Sequence, residues 1–189
     1  MSERRRSISM AARALFLEKG FNATSIADIR DASGATTGSI YHAFGSKEGI
    51  ALALVTEAVG AWTRATLDAQ RSEDAEGLIR GTVEGLLAWA RSDPAGFQIL
   101  DHIRSLGEQG QAGDGIGAFL KEGRAASRVT LVRLSACGEI AIGDPDLAQA
   151  LILGPAFEYL RAAGASIREV TEQSAQLLSD AAWSAMKPA

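Results

Sequence analysis

Between Arg4 and Lys19 the apolar residues Ile8, Ala12, Leu15 and Phe16 fall at i, i+4, i+7 and i+8, the spacing of one stripe on a helix. Gly20 then offers a left-handed stop, and Phe21 is placed to fold back over the last turn. The run "TSIAD" announces a second, shorter helix. Ser25 and Asp28 have the spacing of a capping box, with Asp in the place of Glu or Gln, and Ile26 and Ile29 face inward. This helix ends near Ala32, where "SGA" makes a tight break at Gly34. Thr36 caps a third short helix, Thr37 to His42, and Ser46 caps a fourth. Glu48 stands in the first turn of that fourth helix, where the dipole favours an anion.

Beyond this point the helices lengthen. The pattern predicts helices over 47–70, 74–91, 94–106, 116–136, 146–163 and 166–186, with Pro94 at a permitted first position. No alternation of Val, Ile and Thr lasts long enough to predict a sheet. The expected fold is therefore all-α, with about nine helices. Pro155 should kink its helix or restart it, because its ring removes an internal hydrogen bond. The glycine-rich stretch 107–117 reads as a lid or as a disordered connection, the connection being preferred.

Charge sharpens this picture. The formal net charge is −4, which argues against indiscriminate binding to nucleic acid. Residues 1–50, however, hold seven Arg and Lys against five Asp and Glu, while the remainder is acidic. The sign is the one expected if only the first segment approaches a polyanion. Arg4, Arg5 and Arg6 supply much of it, and such a triplet is either a solvated terminus, the simpler reading, or a binding arm. A single cysteine, Cys137, excludes an intramolecular disulfide and offers no zinc cluster, so no metal is expected. No apolar run is expected to reach the roughly 18 residues of a membrane span. The basic start lacks an apolar segment and cleavage site, which makes cytoplasm the expected compartment.

The segment "ATTGSIYHAFGSKEG" raises the question of chemistry. Ile40 and Phe44 are its large anchors, and Thr37, Ser39, Tyr41 and His42 are left for the outward face of the third helix. Two short helices joined by a glycine turn form the geometry that sets the second into a DNA major groove. Hydroxyls and Tyr suit phosphate positioning, while Thr and Ser near the helix start can reach base edges. Gly38 removes a side chain where the helix would otherwise stand off the DNA backbone. Lys47, at a helix start, could hold a phosphate together with free amides.

"AARALFLEKGFNATSIADIRDASGATTGSIYHAFGSKEGI" closely resembles the DNA-binding segment of the TetR (tetracycline-repressor-type) family of bacterial transcription regulators. The matching features run in order from Ala-Leu-Phe through Gly20-Phe21, Thr24-Ser25, Ile29, Gly34, Gly38, Tyr41 and Phe44 to Ser46-Lys47-Glu48. The resemblance implies a homodimer with a three-helix DNA-binding domain, residues 1–46, in successive major grooves. It also implies a larger helical domain, residues 47–189, that binds a small molecule and forms the dimer. Phosphate contacts would fall on Thr24, Tyr41, His42 and Lys47, and base or groove contacts on Thr36, Thr37 and Ser39. Two positions depart from the family. Arg30 stands where Ala is common and must either snorkel outward, the preferred reading, or add a phosphate contact, and Ala43 replaces a frequent aromatic or His.

The second half is informative mainly by type. In such folds Trp62, Trp89, Phe97, Leu100, Ile103 and Phe119 lie on helices that surround a ligand cavity. His102 and Thr66 could add polar points to it, although each aromatic reads more simply as core. Leu151, Phe157 and Leu160 on one late helix, with Leu177, Leu178 and Trp183 on the other, suggest faces that pair with a second copy in a four-helix bundle. The alternative is that they close a monomeric core. No nucleophile with its base, phosphate loop or metal-spaced set points to an enzyme or a cofactor. The expected function is a DNA-binding regulator, a repressor released by a small molecule. Its expected partners are a palindromic duplex operator, an effector and a second copy, with no membrane.

Overall fold

The structure, a computed structural model, describes residues 2–111 and 113–188. Among these residues it is all-helical. The helices are α1 (Glu3–Lys19), α2 (Ile26–Ser33), α3 (Thr37–Phe44), α4 (Lys47–Ala69), α5 (Ala75–Ser92), α6 (Pro94–Glu108), α7 (Asp114–Ala136), α8 (Pro145–Ala163) and α9 (Glu172–Met186). The glycine-rich stretch 107–117 is largely taken up by helix ends, and Ala112 lies outside the described residues. By internal packing the chain divides into two compact units. One joins Met1–Val59 to Ala95–Lys121, and the other joins Gly60–Pro94 to Glu122–Ala189. The division falls inside α4, so these units share that helix and do not coincide with residues 1–46 and 47–189.

In the first unit α1, α2 and α3 pack against one another. Ile8, Ala12 and Phe16 of α1, Ile29 of α2 and Ile40 of α3 are buried, as the stripe predicts. Burying each of the large ones contributes about 1.5–3 kcal/mol. Phe21 packs edge-on against Phe16, with ring centroids 5.2 Å apart, so the fold-back over the end of α1 is present. The capping box of α2 closes in both directions. The Asp28 amide donates to Ser25 Oγ at 3.1 Å, and the Ser25 amide donates to Asp28 Oδ2 at 2.8 Å. The Ser25 hydroxyl, followed by its amide, holds the Asp28 carboxyl down at about 2. Gly34 ends α2 in the left-handed region at φ 66°, a conformation that a side chain would strain.

The second unit is built around α5. Ile79, Val83, Leu86, Leu87, Trp89 and Ala90 are all buried, so that this helix is enclosed on most sides. Gly77, Gly81 and Gly85 recur every fourth residue on one face. A Cβ at Gly85 would stand 2.5 Å from the Thr66 backbone, and one at Gly81 would stand 2.9 Å from Gln70 Cα. The glycine row thus admits the end of α4 at backbone distance. The opposite attachment of α5 is polar: Arg80 pairs with Asp180 and Glu76, and the fully buried Ser179 donates to Glu84 Oε1 at 2.9 Å.

Three sequence expectations are corrected here. Pro155 stands inside α8 and the helix does not restart there, so of the two expected outcomes the restart is the one overturned. The proline lies on the exposed side of the helix, where water can serve the carbonyl it leaves without a donor. The last helix does not begin at Ser166. Residues Gly164–Glu169 form a 3-10 turn that buries Ile167, and α9 starts afresh where Thr171 Oγ1 accepts the Ser174 amide at 3.1 Å. Finally, α4 is by length and composition apolar enough to cross a membrane, with a mean hydropathy of 1.2. Ile50, Ala51, Leu54, Val55 and Ala58 on this helix are nonetheless buried within the fold.

Candidate nucleic-acid interface

The face in question is α3, which Thr36 starts by accepting the Ser39 amide on its hydroxyl at 3.2 Å. Ile40 is completely buried and fixes the roll of the helix. That roll leaves Thr36, Thr37, Gly38, Tyr41 and His42 exposed and Ser39 half-buried. Sequence spacing placed Thr37, Tyr41 and His42 outward and Ile40 inward, while Ser39, expected outward, and Phe44, expected inward, are both half-buried. The exposed set has no carboxylate and is rich in hydroxyls, and Tyr41 retains half its surface. Such groups can donate to phosphate oxygens and, near the start of the helix, reach base edges.

Two residues expected on this face lie elsewhere. Thr24 is buried, and its hydroxyl donates to Gly20 O at 2.8 Å and Leu15 O at 3.3 Å. It closes the corner between α1 and α2 by satisfying carbonyls at the end of α1. Lys47 reaches the same corner from α4. Its ammonium donates to Phe21 O at 2.9 Å and Thr24 O at 3.0 Å, and sits 4.5 Å from the centre of the Phe21 ring. A cation so engaged braces the corner instead of standing open to a phosphate. Neither placement is visible in the sequence, because both depend on where the corner carbonyls converge.

Of the arginine triplet, Arg4 and Arg6 are exposed as the simpler reading expects, and Arg5 departs from it. Arg5 donates to Ala43 O at 2.7 Å and lies over the Phe44 ring at 4.3 Å. It therefore places a positive charge at the C-terminal end of α3, where the dipole favours one. Arg4 donates to Ser39 Oγ at 3.2 Å. Ser7 donates to Ser33 O at 3.0 Å, which ties α1 to α2 beside them. A signal for Arg5 existed: it precedes the buried Ile8 and Ser9 by three and four positions, on their side of the helix. Arg30 is exposed and pairs with Asp31 at 2.7 Å, as the snorkelling reading expected. Ala43 is half-buried.

The residues expected around a ligand are divided between the two units. In the first, Phe97, Leu100 and Ile103 are core, whereas Phe119 and His102 are half-buried. His102 Nε2 is buried without a hydrogen-bond partner among the described residues. In the second, Trp89 is core, Thr66 is half-buried, and Trp62 packs edge-on against Phe157 at 5.9 Å. The residues expected at a dimer interface also divide. Phe157 and Leu160 are buried in their own chain, Leu151, Leu178 and Trp183 are half-buried, and Leu177 is 63% exposed.

Comparison with known proteins agrees with this geometry. Residues 8–54 match the family model described as bacterial regulatory proteins, tetR family. The chain is 34% identical over 98 residues to the HTH-type transcriptional repressor BdcR of Escherichia coli K12, covering 50% of each. It is 38% identical over 87 residues to the HTH-type transcriptional repressor KstR2 of Rhodococcus jostii RHA1, covering 46% of this chain and 41% of that one. The matches thus span about half the length of these curated relatives or less. A solved structure of a TetR family transcription regulator from Marinobacter aquaeolei VT8 superposes with a TM-score of 0.80 at 20% identity, over 98% of this chain and 96% of that one. At that identity the superposition speaks for the fold, and residues 8–54 carry the kinship. Over residues 8–54 the chain matches the tetR family of bacterial regulatory proteins.

Proposed function

We propose that this protein is a ligand-responsive, DNA-binding transcription regulator, a repressor that a small molecule releases from its operator. The observation that carries the reading is α3 itself: Ile40 is wholly buried, and Thr37, Tyr41 and His42 project from a short helix in a braced three-helix head. Thr36, Thr37, Ser39, Tyr41 and His42 would meet the major groove and its phosphates. Thr24 and Lys47 would act from behind, by fixing the corner that carries α2 and α3.

In this reading residues 1–46 are the DNA-binding head, and residues 47–189 bind the effector and pair with a second copy in the cytoplasm. Leu177, with Leu151, Leu178 and Trp183, would meet the partner, while Phe157 and Leu160 support them from beneath. The unsatisfied His102 Nε2 would be the polar anchor for an otherwise apolar effector, with Phe119 of the same unit as an accessible contact. Phe97, Leu100 and Ile103 would shape its surroundings from the core of that unit. Effector binding would favour states in which two α3 helices no longer match one helical turn of DNA, about 34–36 Å.

The test is selection from a random pool of duplexes at low salt, with the protein's folded state verified by circular dichroism. A palindromic winner whose affinity falls steeply with salt is expected. Folded protein that retains no duplex above background would overturn the reading.

A further inference from the structure

The DNA-binding reading leaves Arg4 without a role, and the surroundings of Arg4 supply one. Its guanidinium is exposed and donates to Ser39 Oγ, a neutral partner. None of the ion pairs seen among the described residues engages it, so its charge is uncompensated. Ser39 Oγ in turn lies 2.8 Å from Thr36 Oγ1, and Thr36 Oγ1 also accepts the Ser39 amide.

Counting protons shows what the group can bind. The two hydroxyls have two protons, and their mutual hydrogen bond uses one. The second is free to donate outward. Arg4 has five N–H donors, of which Ser39 takes one. The group therefore offers several donors and one positive charge, with no carboxylate among its members. The ligand that matches such a set is an oxyanion with acceptor oxygens only, and the planar fork of arginine suits two oxygens of one phosphate. The neighbouring Arg5 differs, because its guanidinium is spent on Ala43 O and the Phe44 ring.

We infer that Arg4, with the Ser39 and Thr36 hydroxyls, forms a phosphodiester-binding site on the flank of α3, through which α1 contributes a cation to the reading face. Arg5 is its structural counterpart, a positioning residue that holds the end of α3. The inference rests on the DNA-binding reading above and adds a contact from outside the helix-turn-helix.

The test is the salt dependence of binding to a selected duplex, measured by fluorescence anisotropy with the full chain. Each neutralised phosphate contributes about 0.9 to the slope of log K against log salt. Arg4→Gln should lower the slope by about that amount per bound copy, and should weaken operator and random duplex alike. Arg4→Lys should keep the slope, and Arg5→Gln should lower the melting temperature while leaving the slope in place. If the parent binds duplex and Arg4→Gln retains both slope and affinity, the phosphate site is wrong while the DNA reading stands. If the parent binds no duplex, both fall together.

Discussion

Gly38 permits a test in which stability and function should move in opposite directions. It lies in the first turn of α3 with no positive φ, and a Cβ built on it meets nothing within 4 Å. Folding therefore gives no reason for a glycine here. The contrast is Gly49, where a Cβ would stand 1.9 Å from Phe44 O, a backbone atom that cannot give way cheaply. Replacing Gly38 by Ala removes the extra backbone freedom of the unfolded chain at no cost in strain. That should stabilise the fold by about 0.5–1 kcal/mol, or about 1–4 °C in melting temperature for a chain of this size. The new methyl group would project from the face assigned to DNA and hold it off the phosphates. A loss of at least tenfold in operator affinity is expected, about 1.4 kcal/mol. Gly49→Ala should instead cost about 3 kcal/mol of stability. Differential scanning calorimetry and anisotropy on the same preparations measure both quantities. If Gly38→Ala is stabilised and binds the operator within twofold of the parent, that face of α3 does not approach DNA.

Lys47→Met keeps the aliphatic stem and removes the ammonium from Phe21 O and Thr24 O, so a destabilisation of about 2 kcal/mol is expected by urea titration. An unchanged midpoint would mean that the corner is not braced there. Gly85→Ala forces a Cβ against the Thr66 backbone and should cost about 1–3 kcal/mol; a melting temperature equal to that of the parent would sink the proposed close packing of α4 on α5. Acid should also matter. Asp28 is held at about 2, below its ordinary 3.8, by Ser25, and Asp180 is lowered by Arg80. Groups with depressed values stabilise the fold above about pH 4 and lose that contribution as pH falls towards 2. The stability gap between the parent and Ser25→Ala should therefore narrow across this window, and a gap independent of pH would count against the Asp28 assignment. Leu177→Glu alters a side chain that is 63% exposed; if the parent sediments as the proposed dimer, the variant should stay folded and sediment as a monomer. Persistence of the dimer would move the interface elsewhere.

Much of the head was legible in the sequence because its signals are local. The stripe through Ile8, Ala12 and Phe16, the box between Ser25 and Asp28, and the Thr36 cap involve residues no more than four positions apart, and each is present. The outward set of α3 followed from Ile40 and a helical period. The site was less legible wherever a side chain serves a distant carbonyl. Thr24 and Lys47 carry polar groups of the right kind for phosphate, yet both are consumed at the α1–α2 corner. The Gly77, Gly81 and Gly85 row was readable as a period of four, but without its neighbour the row does not say what approaches it.

By itself the sequence determined the helical class, the order of the elements and the outward face of the short helix proposed to read DNA, since apolar periodicity and capping act within one or two turns. The tertiary structure alone decided which cations are spent and which are free. Arg4, Arg5 and Lys47 have equal charge in the sequence and differ only in what the folded chain brings to their tips. It also decided that Phe157 and Leu160 close their own core while Leu177 remains outside. An apolar side chain is drawn to whatever surface excludes water, and several faces of an amphipathic helix satisfy that demand until packing selects one.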